Sequence, residues 1–73
     1  MYFIESEYLE SIDFMKTFYH FEQAVKYMKK CYKMEKNKHS WQWSSNYFVI
    51  ASVRAENGEI RAYINNRGTM VII

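Results

Sequence analysis

The chain reads as an α+β domain in which a helical N-terminal half packs on a C-terminal three-stranded antiparallel β-meander. Apolar residues recur at helical spacing between positions 20 and 36, and two alternating apolar runs flank Asn57 and Gly58. Size and composition supply the third observation: 73 residues, 49% of them apolar, with two Gly and no Pro. That makes a single domain, 1–73, with enough apolar content to collapse instead of staying disordered. A domain of this size buries only about 60% of its unfolded surface, so a partner or a second copy would help to hold it.

The main helix is set by Phe21, Val25, Met28 and Tyr32, which follow one another at steps of 4, 3 and 4, with Ala24 and Cys31 widening the stripe. This spacing predicts a helix over about 20–36. Upstream, Tyr8, Ile12, Met15 and Tyr19 form a second stripe, and Ser6 stands where an N-cap would, with Glu7 and Glu10 in the first turn. These features suggest a first helix over 7–18 or the beginning of one long one. The aromatic and Thr content of 14–18 offers a rival strand there, and residues 2–5 read as a short N-terminal edge strand.

The meander is predicted over about 46–55, 59–65 and 69–73. Asn57-Gly58 between alternating runs signals a two-residue hairpin turn. Such a turn opposes Ala55 to Ile60, Val53 to Ala62 and Ala51 to Ile64, one consistently apolar face. It also opposes Arg54 to Arg61 and Glu56 to Glu59, a charge square offset only along its diagonals. A second turn at Asn65 to Gly68 is expected to place Val71 and Ile73 on the apolar face. Met70 and Ile72 would then join Phe48, Ile50 and Tyr63 on the opposite one. That opposite face is too apolar for water, so either the N-terminal segment or a partner must cover it.

Several function classes find no support in the residues. There is no Gly-rich phosphate loop, nucleophile elbow or paired-Cys metal motif. Cys31 lies near the apolar stripe of the helix and reads as a buried structural thiol rather than a nucleophile served by His20 or His39. As zinc ligands these three have spacings of 11 and 8, which match no usual pattern. Glu7 and Glu10 read as solvated acids of a first helical turn, and no catalytic residue, metal or cofactor is expected. The lone cysteine also points to a reducing, cytoplasmic setting. The first fifteen residues carry four acids and no Lys or Arg, the reverse of a secretory n-region. The longest apolar run, Tyr47 to Ala51, is five residues, against about 20 for a membrane span.

Two surfaces remain as candidates. Trp41, Trp43, Phe48, Ile50, Tyr63 and Ile72 make an aromatic and apolar partner-binding set, since Trp and Tyr dominate binding hot spots. Lys26, Lys29, Lys30, Lys33, Lys36 and Lys38 make a basic helix face that would contact phosphate or an acidic partner. Against this second reading, C-terminal lysines complement the helix dipole in any protein, and Glu35 interrupts the run. The net charge is only +2, distributed as −4 over residues 1–15, +5 over 16–40 and +1 over 41–73.

Phe, Ile, Asn, Lys and Tyr supply 31 residues, and Gly, Ala, Arg and Pro only 9. The genetic code makes this a mark of AT-rich coding, as in low-GC bacteria and their phages. The expectation is therefore a small non-enzymatic protein-binding module, a phage or mobile-element inhibitor or adaptor acting on a host protein. Antagonists of defence systems, anti-CRISPR proteins among them, are one such class. The alternative is a small nucleic-acid-binding protein using the lysine face and the sheet aromatics. Homodimerisation, through the terminal strand Thr69 to Ile73 as an unpaired edge or through the second sheet face, fits both.

Overall fold

A computed structural model describes residues 1–38 and 46–73. Chain order runs β1 (Tyr2–Ser6), β2 (Thr17–Phe18), α1 (Phe21–Glu35), β3 (Val49–Ala55), β4 (Ile60–Asn65) and β5 (Met70–Ile72). The five strands form one antiparallel sheet in the order β2-β1-β3-β4-β5. The fold is α+β with the expected C-terminal meander, but two N-terminal expectations are corrected. Residues 7–18 hold no helix: they form a loop that ends in β2, so the rival strand over 14–18 is realised only at Thr17 and Phe18. And β1 is not an edge strand, because it lies between β2 and β3.

Ser6 explains the first correction. Its Oγ accepts from the backbone N–H groups of Tyr8 (3.1 Å) and Leu9 (3.0 Å), as an N-cap would. It also donates to the carbonyl of Ile50 on β3 (2.6 Å), which fastens the start of the loop to the sheet. The apolar residues that suggested a helical stripe then split. Ile12 enters the core, joined by Leu9 from outside that stripe, while Tyr8, Met15 and Tyr19 stay exposed.

Both hairpins close with the same turn, and it is not the two-residue one. The Gly58 N–H donates to Ala55 O (2.8 Å) and the Ala55 N–H to Glu59 O (2.9 Å); Gly68 to Asn65 O (3.0 Å) and Asn65 to Thr69 O (3.1 Å) repeat the pattern. Each is a three-residue loop ending in a glycine at positive φ, +91° for Gly58 and +84° for Gly68. A two-residue type I′ turn needs positive φ at both central residues, and among the described residues no non-glycine adopts it.

The extra loop residue shifts each register by one, with opposite consequences. After the first turn Arg54 pairs with Ile60, and a bulge at Arg61 then restores the expected Val53–Ala62 and Ala51–Ile64 pairs. The predicted charge square therefore does not form. After the second turn nothing compensates, and Ile64 pairs with Met70, Tyr63 with Val71 and Ala62 with Ile72. A one-residue slip exchanges faces, so Met70 and Ile72 share the face of Ala62 and Ile64, while Val71 shares that of Tyr63.

The helix covers the face bearing Tyr2, Ile4, Val53, Ala62 and Ile64. Tyr2 meets Phe21 edge-on at 5.5 Å, and Phe18 meets Tyr27 at 5.3 Å. Among the described residues Met28, Ile50, Val53 and Ile64 are the largest fully buried side chains. The helix buries Ala24, Met28, Cys31 and Glu35, a stripe turned slightly from the expected one, with Phe21, Val25, Tyr27 and Tyr32 half-buried on its flanks. Among the described residues no helix is long and apolar enough to cross a membrane.

Candidate functional site

The chemistry-bearing groups singled out in the sequence are dispersed. Cys31 is buried, its Sγ 4.0 Å from the carbonyl of Ser11. His20 caps the helix N-terminus through its backbone only, and Glu7 and Glu10 are exposed. His39, Trp41 and Trp43 lie outside the described residues.

Glu35 was expected among the lysines on the solvent face, and the structure turns it inward. The residue is only 3% exposed. It accepts from the N–H of Glu10 (2.9 Å), the N–H of Ser11 (2.8 Å) and the hydroxyl of Ser11. A buried carboxylate held this way has its charge solvated by the loop. Its removal from the surface leaves the lysine stripe uninterrupted.

Two surfaces follow from this architecture. The first is the sheet face opposite the helix, where register and alternation place Phe3, Ser52, Arg54, Tyr63 and Val71. Glu5 and Arg54 pair across it at 3.1 Å, and Arg54 Nη1 donates to Gly58 O at 2.6 Å. At one end Tyr8 packs against Phe48 with ring centres 5.0 Å apart and the rings tilted at 51°. A groove of about 380 Å³ runs between Glu5, Tyr8, Phe48, Arg54 and Ile60. Among the described residues no second layer lies over this face.

The membership of the predicted apolar set changes accordingly. Tyr63 sits on the open face and Phe48 at its rim, both half-buried. Ile50 is 1% exposed and belongs to the core, so it offers a partner nothing. Ile72, though exposed, is on the helix side of the edge strand. Phe3 and Val71 take their places, and neither was legible without the strand order and the true turn length.

The second surface is basic. Lys26, Lys29, Lys30 and Lys33 line an open groove with Met34 along the helix. Lys29, Lys33 and Lys36 also meet Arg67, Tyr32 and Gly68 around a cleft of about 260 Å³ where α1 passes the β4–β5 turn. Lys38 follows in the turn after the helix. Asn66 holds this corner together. Its Oδ1 accepts from Phe48 N (3.0 Å), its Nδ2 donates to Asn46 O (2.6 Å), and its carbonyl receives the Tyr32 hydroxyl (3.3 Å). Burial of Tyr32 raises its pKa above the ordinary tyrosine value. The Arg67 guanidinium lies 4.8 Å over the ring of Tyr47, which is 71% exposed. Sequence spacing alone did not bring Arg67 and Tyr47 to the lysines, because the contact spans two elements.

No protein-family description matches the chain, and neither curated proteins nor solved structures include a match.

Proposed function

We propose that the chain is a small non-enzymatic protein-binding module that occludes a partner's surface with the open face of its sheet. The observation that supports this is the one-sided covering of the sheet: the helix packs on one face, and the other presents Phe3, Tyr63, Val71 and Ile60 beside the Tyr8–Phe48 ring contact. The face is mixed, with Glu5, Ser52 and Arg54 lying between Phe3 and the Tyr63–Val71 pair, and aromatic and apolar side chains set among polar groups are the make-up of a protein-binding surface. The bias toward AT-coded residues favours a phage or mobile-element inhibitor or adaptor, with a bacterial host protein, such as a component of a defence system, as its target.

The test is capture of a partner from low-GC bacterial lysate, repeated after nuclease treatment and at two salt concentrations, with the native chain and with Tyr63→Ala/Val71→Lys. The expected result is a partner that survives nuclease and salt and is lost with the double variant while its far-UV spectrum stays native. Capture that disappears with nuclease, or that persists undiminished in the double variant, overturns this surface.

A further inference from the structure

We infer that the corner between α1 and the β4–β5 turn is a binding site for single-stranded nucleic acid, with Lys29, Lys33, Lys36 and Arg67 on the phosphates and Tyr47 as a base-stacking platform.

The charges are the first support. Lys29, Lys33 and Lys36 recur at steps of 4 and 3, and Arg67 reaches the same cleft from a different element. The helix dipole accounts for cations in the last turn, such as Lys33 and Lys36. It does not account for Lys29 or for Arg67. Of the two helix carboxylates, Glu22 stands in the first turn, seven positions before Lys29, and Glu35 binds the loop at Glu10 and Ser11. Among the described residues none of these four cations forms an ion pair with a carboxylate. Like charges gathered around one concavity raise each other's energy, and an anion in the cleft relieves it.

The aromatic ring is the second support, and it selects the form of the anion. Tyr47 holds Arg67 over its ring at 4.8 Å, yet most of its surface remains open. A basic groove beside an exposed aromatic is how proteins hold single strands, the backbone on the cations and a base on the ring. A duplex hides its base faces and would use only the charges. The corner is also preorganised, because the bonds of Asn66 to Phe48 and Asn46 fix residues 46–48 against the turn that carries Arg67.

Fluorescence anisotropy with a labelled single-stranded oligonucleotide of about 12 thymidines, a hairpin duplex of equal phosphate count and an acidic peptide tests this. Four neutralised phosphates on a single strand give a log–log salt slope of about −3, roughly a fiftyfold loss of affinity between 50 and 200 mM salt. Arg67→Gln is expected to make that slope shallower by about 0.7. Tyr47→Ala is expected to weaken binding roughly tenfold at unchanged slope. The Tyr63→Ala/Val71→Lys variant, which breaks the sheet-face surface, is expected to bind the oligonucleotide like the native chain, so the two surfaces fail independently. Equal affinity for the duplex with no effect of Tyr47→Ala overturns the single-strand assignment. Binding of the acidic peptide alone, or no saturable binding at 50 mM salt, overturns the site.

Discussion

The loop over residues 7–16 and the meander over 49–72 are ordered by different means. The meander is a ladder of backbone pairs whose partners stand close in sequence, and its turns repeat one geometry. The loop has little ladder of its own, and side chains hold it. Ser6 ties its start to Ile50, Glu35 binds Glu10 and Ser11, and the Tyr27 hydroxyl accepts from the N–H of Asp13 (2.9 Å). Stability spread over many ladder bonds is hard to remove with one substitution. Where a single carboxylate satisfies three donors, one substitution is enough.

Glu35→Ala is therefore the largest expected effect. It leaves two backbone N–H groups and the Ser11 hydroxyl without their acceptor, with a summed cost of about 2–4 kcal/mol. A core of this size supplies only about 3–5 kcal/mol, so the loop, with Leu9 and Ile12, should detach and much of the domain with it. Glu35→Gln keeps one acceptor oxygen and is expected to lose about half as much. Urea unfolding gives the totals, and hydrogen exchange at the Glu10 and Ser11 amides gives the location. A loss below about 0.5 kcal/mol in Glu35→Ala would show that the loop is held by its apolar anchors instead.

The same contrast explains what could be read from the residues in advance. Helix α1 and the two hairpins rest on local patterns, so their existence was legible and none of their ends moved by more than three residues. The burial of Glu35 depends on donors 24 and 25 positions away, and no spacing rule exposes that. The central place of β1 depends on pairing with β3, some fifty positions on. The faces of β5 were misassigned for a more local reason: one extra loop residue at Gly68 separates the expected turn from the real one. At the candidate sites, helical spacing revealed the lysines, whereas Arg67 over Tyr47 required the turn to fold back on residues 46–48.

The two turns themselves make a finer comparison, since they share hydrogen bonds and a positive-φ glycine but differ in surroundings. A Cβ at Gly58 meets nothing within 4 Å, whereas one at Gly68 comes within 3.1 Å of the Tyr32 hydroxyl oxygen. Gly58→Ala is expected to cost about 1 kcal/mol, the strain of the left-handed region alone. Gly68→Ala is expected to cost about 2 kcal/mol, because Tyr32 must also move off the carbonyl of Asn66. Thermal unfolding of both variants checks the order. Equal losses would mean that Tyr32 yields freely and contributes nothing to the corner.

Tyr32 gives the smallest and most specific effect, an alkaline one. Burial raises its pKa in the folded chain, while in the unfolded chain it keeps the ordinary value near 10. The unfolded state then loses the proton first, so the contribution of the neutral phenol is fully present below about pH 10 and is lost as pH rises through the folded value. Lysines and the other tyrosines also titrate in that window, and the difference between the native chain and Tyr32→Phe cancels them. At neutral pH the native chain is expected to be the more stable by up to about 1 kcal/mol, through its bond to Asn66. From about pH 10 upward that advantage should shrink toward zero, because only the native chain has a phenol here to ionise. A difference that stays flat to pH 11 would mean that the phenol is hydrated in the folded state, and that the corner where helix and turn meet is open to water around Tyr32.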